Sequence, residues 1–329
     1  MLPGLDIVIV NWNAGPQLQQ CVDSIAAASR DGFELQQVII VDNASSDGSA
    51  ECLQPERVPL LIVRNACNRG FAAACNQGAK DGRGEYLLFL NPDIVLTGAS
   101  LAAAVAFMEA HKNSQVAACG VQLLDDRGKI APSCSRFPRP GDFYAHMFGL
   151  HHLCPDSPAG TPMCGGNHCE TRPVDVVMGA FLLLRRTVFE GLGGFDERFF
   201  VYYEEVDLLW QVHRAGWQSY YLSSVHAMHK GGGCSSQARA ARLFFSLRSR
   251  ILYSRKHFCR ASALCLTLAT LLIEPFSRIV YAAGRRRAGE AADTLKACLK
   301  LWIWLIRSLS PGSPGSMQAS AGTDLLPEK

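Results

Sequence analysis

The sequence predicts an α/β domain on a doubly wound, mostly parallel sheet, followed by a basic helical segment. Short β-branched apolar runs alternate with stretches whose apolar residues recur at helical spacing. Four of those runs end on polar side chains, where doubly wound sheets place their ligands. The 329 residues exceed the roughly 200–250 that one such domain occupies, which leaves room for an appendage.

Residues 5–10, LDIVIV, form the first strand, ending at Asn11 and Asn13. Leu18, Cys21, Val22 and Ile25 then mark one face of a helix. Val38 to Val41 is a second strand, ending at Asp42-Asn43 and the turn-rich ASSDGS; Leu60 to Val63 is a third, ending near Asn65 and Asn68. A small-residue helix occupies 71–79, Tyr86 to Leu90 is a strand closed by Asn91-Pro92-Asp93, and 99–111 is a helix. After about residue 116 the pattern changes. A long apolar run, Val174 to Leu184, is interrupted by Gly179-Ala180; Glu204 to Ala215 is a helix capped by Gly216; and 219–229 is a strand reaching His226 and His229 before a glycine loop, 231–233. The end, from Pro311, is Pro/Gly/Ser-rich and reads as disordered.

Charge divides the chain. Residues 1–238 carry 17 Lys/Arg against 24 Asp/Glu, whereas 239–307 carry 14 against 3. An acidic body with a basic C-terminal segment points to an anionic surface as partner and gives no reason to expect nucleic acid. The 13 cysteines are odd in number and mostly set among apolar residues, as at Cys21, Cys75, Cys119 and Cys265. They read as buried reduced thiols of a cytosolic chain. The first residues, MLPGLDIVIV, lack the charged region of a signal peptide. The cluster His151, His152, Cys154, Cys164, His168 and Cys169 fits no zinc spacing, and a Pro/Gly-rich surface loop explains it.

No phosphate-binding glycine loop follows the first strand: NWNAGP has neither the dinucleotide fingerprint nor a Walker lysine. Hydride transfer and ATP hydrolysis are therefore disfavoured. Asp93, at a strand end, suits a hard divalent cation whose remaining ligands come from a diphosphate and water; it suits a turn-capping role equally. Glu204, Glu205 and Asp207 put three carboxylates in one helical turn beside Tyr202 and Tyr203. The helix dipole accounts for one or two acids there. An aromatic setting also suits a general base of raised pKa.

In order along the chain, IVIVNWNAGPQLQQCVDSI, VIIVDNASSDGS, NRGFAAACNQG, YLLFLNPDIVL, VMGAFLLLRR and GGFDERFFVYYEEVDL resemble the inverting glycosyltransferases of family 2, and within it the bacterial rhamnosyltransferase-like branch. The likeness covers roughly residues 5–235 and implies the GT-A fold. Residues 1–115 would be the nucleotide-binding half, 116–238 the acceptor half, and 239–310 a membrane-associating segment. The resemblance assigns Asp42 to the nucleotide base. Asn11, Asn13, Asn43, Asn68, Gly70, Asn76 and Asn91 would line the nucleotide pocket. Asp93 matches the second aspartate of the metal motif, with Asn91 in place of the first. His229 would join Asp93 on Mg2+ or Mn2+. Gly179 and Ala180 would flank donor sugar and acceptor. Glu205 stands where the family has its base, usually Asp, with Glu204 and Asp207 beside it. Gln211 replaces an expected Arg.

The implied reaction transfers a sugar, with inversion, from a nucleotide sugar to a saccharide or lipid-linked acceptor. Rhamnose from its deoxythymidine diphosphate donor is the first choice, in cell-surface polysaccharide synthesis. A sugar nucleotidyltransferase would need a basic glycine loop after strand one. A catalytically inactive saccharide-binding protein of the same fold finds its argument in Asn91. At the C-terminus, ASALCLTLATLLI (261–273) is too short to span a bilayer, Glu274-Pro275 interrupts it, and LWIWLIRSL (301–309) is also short. With Arg285, Arg286 and Arg287 nearby, these read as interfacial helices holding the protein peripherally on the inner face of the cell membrane; a pair of helices packed on the catalytic domain is the alternative.

Overall fold

β1 (Gly4–Asn11), β2 (Glu34–Asp42), β3 (Leu60–Arg64) and β4 (Tyr86–Leu90) lie side by side, all parallel, with α1 (Pro16–Ala27) and α2 (Phe71–Asp81) as crossovers. The structure is a computed structural model that describes residues 1–53, 58–149, 168–231, 239–285 and 287–309. The readings for His151, His152, Cys154, Cys164, Gly232, Gly233 and the tail from Pro311 lie outside these residues. β5 (Ile94–Leu96), α3 (Ser100–Glu109), β6 (Val116–Leu124), β7 (Ile130–Ala131) and β8 (Cys134–Ser135) follow. After α4 (Pro140–Met147) come β9 (Arg172–Val174), β10 (Val176–Val177), β11 (Phe181–Arg185), α5 (Arg186–Gly191), α6 (Glu204–Arg214) and β12 (Gln218–His229).

The main sheet runs β3-β2-β1-β4-β11-β6-β12-β5. β11 is antiparallel to both β4 and β6, β12 is parallel to β6, and β5 closes the edge antiparallel to β12. Most of the path is parallel, as the alternation of strands and helices predicts. The strand at 116–124 is not legible from its composition. VAACGVQLL is fully strand, central and buried, but its small residues carry neither an alternating nor a strongly β-branched pattern. The long run 174–184 resolves into β10 and β11, broken at Met178–Ala180.

Side chains alternate across the sheet. Ile7, Ile9, Leu88 and Val38 face Leu18, Ile25, Leu101 and Met108. Val8, Val41, Leu87 and Phe89 face Ala72, Cys75, Leu208 and Leu209 on the other side. With both faces covered, the parallel strands must be apolar throughout, and each buried Leu or Ile contributes roughly 1.5–3 kcal/mol. Gly78 lets α2 approach: a Cβ there would sit 2.6 Å from Val8 Cγ1.

The described residues of 1–137, 166–197 and 204–234 form one compact unit, and those of 138–165, 198–203 and 235–329 a second. α4 thus groups with α7 (Arg239–His257), α8 (Arg260–Leu272), α9 (Glu274–Gly284) and α10 (Ala288–Leu309). In this second unit Phe244, Phe245, Ile251, Leu271, Leu301 and Trp304 form a core, and Phe200 stacks on Phe245 at 4.3 Å.

Two sequence expectations change here. Glu274-Pro275 does not end the apolar run, because Pro275 occupies the first turn of α9, where its missing N–H is no loss. Glu274 is buried and gripped by Arg250 and by Arg278 at 2.8 Å. The stretch Arg260–Gly284 is therefore 25 residues, with mean hydropathy 1.6 over its most apolar window, long and apolar enough to cross a membrane by length and composition. A third of that window is buried. Cys265 is exposed rather than buried, whereas Cys21, Cys75 and Cys119 are buried free thiols.

Candidate functional site

The carboxyl ends of β1, β2 and β4 gather the polar residues. Asn11 and Asp42 are register partners on adjacent strands. Asn11 Nδ2 lies 2.7 Å from Asp42 Oδ1, 2.9 Å from Ser49 Oγ and 3.0 Å from Ser45 Oγ. Asn11 Oδ1 is buried with no hydrogen-bond partner among the described residues. Asn13 holds a left-handed φ of 52°, which an asparagine tolerates, and accepts from Ser46 N at 2.8 Å. Asn43 donates to Gly70 O at 3.1 Å and accepts from Asn65 Nδ2 at 2.9 Å. Asn68 Oδ1 accepts from Gly70 N at 2.9 Å, and Gly70 has a φ of 88° that favours glycine.

Ser45, Asp47 and Ser49 were not singled out by their sequence, yet they brace this corner. Asp47 Oδ2 accepts from Gly15 N at 2.7 Å and Oδ1 from Ser49 Oγ at 2.6 Å. Burial alone would raise the Asp47 carboxyl, but the bonds from Ser49 and Gly15 outweigh it and hold it below its usual value. The run ASSDGS is the signal for this bracing, since short polar side chains serve as local hydrogen-bond clamps.

Asn76 does not join the cluster. Its carboxamide is taken by the main chain of Phe195, donating to the carbonyl at 2.8 Å and accepting from the N–H at 2.9 Å. It ties α2 to the segment before α6.

Beyond β4, Asn91 N donates to Ala180 O at 3.0 Å, which ties the Asn-Pro-Asp turn to the Gly179-Ala180 bend. Asp93 lies beside the β5–β12 pairing, in which His229 is opposite Ile94. His229 Nε2 is 3.3 Å from Asp93 Oδ2. Asp93 Oδ1 is buried and lacks a hydrogen-bond partner among the described residues. Cys21, also unforeseen, packs here with Sγ 3.6 Å from Asn91 O, its thiol pushed up by burial and then by the Asp93 charge. No group of three or more His, Cys, Asp or Glu suited to a metal occurs among the described residues.

α6 begins with the acids. Two successive left-handed residues, Tyr202 (φ 70°) and Tyr203 (φ 69°), precede it, a costly geometry for aromatic side chains. Gly179 faces Glu205: a Cβ there would stand 3.6 Å from Glu205 Cβ and 3.9 Å from its carboxyl carbon. Burial raises the Glu205 carboxyl, partly offset by main-chain N–H groups of Glu205, Val206 and Gly179. Burial, and then the charge of Glu205, drives Glu204 well above the ordinary range. One oxygen of each, Oε2, is buried without a hydrogen-bond partner among the described residues. Asp207 is fully buried and accepts from Gln211 Nε2 at 2.9 Å. Gln211, where an Arg was expected, thus braces Asp207 within the helix.

Raised carboxyls have a consequence for stability. An acid with a higher pKa when folded stabilises most below its unfolded pKa, and that contribution is lost as pH rises through the folded value. Melting temperature is expected to fall as pH rises from about 5 to 9, and to fall less in Glu204→Gln; melting curves across that range test it. Gly179→Val is expected to press on Glu205 and reduce turnover by about tenfold or more with little change in melting temperature, since the space takes a single Cβ and little beyond it.

The family profile described as "Glycosyl transferase family 2" matches residues 6–193. The N-acetylglucosaminyl-diphospho-decaprenol L-rhamnosyltransferase of Mycobacterium tuberculosis is 27% identical over 265 residues, 76% of this chain and 83% of that protein. Rhamnosyltransferase WbbL of Escherichia coli K12 is 29% identical over 148 residues, 44% of this chain and 52% of that one. The mannosyltransferase PcManGT from Pyrobaculum calidifontis, solved with GDP-Man and Mn2+, superposes with a TM-score of 0.53 at 19% identity, covering 92% of this chain and 88% of that chain. That likeness extends to the fold.

Proposed function

This chain belongs to glycosyltransferase family 2, whose profile spans more than half of it, and we propose that it moves a sugar, with inversion, from a nucleoside diphosphate to a lipid-linked saccharide. The fold is GT-A. The observation that carries the reading is the line of contacts from Asp93 to Glu205. A buried carboxylate oxygen with no hydrogen-bond partner among the described residues, beside His229, stands at one end, and an acid of raised pKa against Gly179 at the other. Asn91 and Ala180 join them through one main-chain hydrogen bond.

The residues at Asp93 fit a divalent cation, because Oδ1 lacks a hydrogen-bond partner among the described residues and an imidazole nitrogen of His229 stands next to Oδ2. Asp93 and His229 would hold Mg2+ or Mn2+; two protein ligands suffice where a diphosphate and water complete the shell. A cation there supplies positive charge against a departing diphosphate. Asn11, Asp42, Asn43 and Asn68 form the wall that orients the nucleoside. Glu205 takes the proton of the acceptor hydroxyl as that oxygen attacks the anomeric carbon from the face opposite the diphosphate. The new C–O bond forms as the bond to the phosphate oxygen breaks, in one inverting displacement. Glu204, held higher still, stays protonated and leaves one negative charge on the pair. Asp207, clamped by Gln211, supports the helix.

Rhamnose as the donor sugar is supported by the two rhamnosyltransferase relatives. A lipid-diphosphate acceptor is supported by the mycobacterial one, whose name carries a decaprenol. A panel of nucleotide sugars with added Mg2+ or Mn2+ tests the reading: transfer from one donor supports it, and a binder without turnover overturns it.

The exposed apolar residues of the second unit support peripheral attachment to an anionic inner membrane face. Leu264, Leu268, Leu272, Phe276 and Val280 recur every four residues along α8 and α9, and Leu295, Leu299, Trp302 and Ile306 mark one face of α10. Phe276→Ser with Trp302→Ser is expected to release the full chain from membranes, read by sedimentation; pelleting unchanged from the wild type would overturn attachment through this face.

A further inference from the structure

We propose that a cavity between α4 and α9 seats the phosphate group of an anionic phospholipid. The proposal rests on the peripheral-membrane reading above. The cavity, of about 150 Å³, is lined by His146, Phe148, Ser277, Arg278 and Tyr281, among others. That volume exceeds the roughly 30 Å³ of a water molecule several-fold, enough for a phosphate group.

Three features give the cavity its chemistry. The first is surplus positive charge. Arg250 and Arg278 both pair with the single carboxylate of Glu274. Burial raises that carboxyl, but Arg250 and Arg278 outweigh it and hold it below its ordinary value, so it stays ionised. Two guanidiniums against one carboxylate leave one net positive charge. The Arg250 side chain is 6% exposed and that of Arg278 32%, so the charge reaches the surface at Arg278, which lines the cavity. Arg278 spends Nε and Nη2 on Glu274 Oε1, and a guanidinium has further N–H donors to offer.

The second feature is the rim. Ser277 holds its hydroxyl on Met147 O at 2.9 Å, fixing the α4 end to α9. Arg285 lies over the ring of Tyr281, which lines the cavity, at 4.5 Å, a second cation beside that wall.

The third is depth. Phe276 is 71% exposed, Val280 53% and Tyr281 39%, so the cavity opens beside the apolar face of α9. An interfacial helix buries such a face to the boundary of headgroups and acyl chains, which sets the cavity mouth at phosphate level. Residues 260–307 carry eight Lys/Arg against three Asp/Glu, a balance that attracts an anionic leaflet. A zwitterionic headgroup offers no net charge to that surplus. The favoured occupant is therefore an anionic phospholipid, with free phosphate as an outcome of the test.

The test uses the full chain with vesicles of phosphatidylcholine, alone or mixed with phosphatidylglycerol, and in parallel dihexanoyl phosphatidic acid below its micellar concentration, followed by calorimetry. Wild type is expected to prefer the mixed vesicles and to bind the soluble lipid saturably. Arg307→Ala, an exposed cation elsewhere on α10, is expected to cost about fivefold in vesicle affinity, the general contribution of one basic residue near the surface. Arg278→Ala and His146→Ala/Arg285→Ala are expected to cost more than that and to abolish soluble-lipid binding. The double variant changes only exposed side chains and leaves Glu274 paired, so it decides the matter if Arg278→Ala misfolds. Equal losses in the cavity variants and Arg307→Ala overturn the proposal, as does inorganic phosphate displacing the soluble lipid at equal concentration. Soluble-lipid binding without any vesicle binding overturns the membrane reading and leaves the seat standing; vesicle binding without soluble-lipid binding does the reverse.

Discussion

Glu205→Gln is expected to reduce turnover by roughly 10²–10⁴-fold while leaving the donor KM within about threefold of wild type. The amide fills the same space beside Gly179, where a Cβ would stand 3.6 Å from Glu205 Cβ, so packing is conserved and the proton acceptor is lost. Burial lifts the Glu205 carboxyl, and a base must be ionised to work. The acidic limb of the wild-type kcat profile should accordingly lie above the titration range of an ordinary glutamate, with activity falling as pH drops through it. Glu204→Gln should lower kcat far less and leave that limb close to its wild-type position, since a protonated Glu204 and a glutamine are both neutral neighbours of Glu205. Product analysis by stereochemistry of the new linkage adds an independent check on inversion. Full activity in Glu205→Gln would move the base to Glu204 or Asp207, and Asp207→Asn would then separate those two.

How much of this was legible beforehand follows residue chemistry. The four strands of the first half announce themselves as LDIVIV, VIIV, LLIV and YLLFL, because strands buried on both faces must be apolar throughout. Their polar ends, Asn11, Asp42 and Asn91, were legible for the same reason: a carboxamide or carboxylate closing an apolar strand stands out. β6 was not, since Ala117, Ala118, Cys119 and Gly120 are small. Small residues there allow close approach to Val177, 2.7 Å from a Cβ built at Gly120, a demand that no periodicity reports. Asn76 misled because an asparagine that clamps a distant main chain looks the same in sequence as one facing a ligand. Glu274 misled in the opposite direction. A lone acid and a proline read as the break in an apolar run; a helix does end there, at Leu272, but the next begins at once and the acid is buried by Arg250 and Arg278, 24 and four residues away. The pairing of Asp93 with His229 also lay beyond periodicity, because it depends on β5, three residues long, joining β12 across the sheet.

Asp93→Ala is expected to be the second severe substitution, lowering kcat/KM by roughly 10²–10³-fold, within the range over which an active-site electrostatic contact is worth about 2.7–4 kcal/mol. The argument starts from burial. Asp93 and His229 side chains are 15% and 20% exposed, and a carboxylate oxygen left without a hydrogen bond in such a place costs roughly 1–3 kcal/mol or more unless something meets it. A divalent cation meets it, so Asp93→Ala should lose Mn2+ binding while keeping or gaining thermal stability in metal-free buffer. The two readouts move in opposite directions, which separates a metal ligand from a structural turn: a turn residue would lose stability and leave Mn2+ affinity alone. Proton relaxation enhancement by Mn2+, with a nucleoside diphosphate present, measures the affinity without turnover. His229→Ala should weaken Mn2+ binding by about tenfold or more, the Asp93 carboxylate remaining as ligand. Asn91→Asp restores a second carboxylate to the turn whose N–H is held by Ala180, and it should raise Mn2+ affinity and lower the cation concentration that half-saturates transfer. Unchanged Mn2+ affinity in both Asp93→Ala and Asn91→Asp would place the cation elsewhere and leave Asp93 as a cap for the β4–β5 turn.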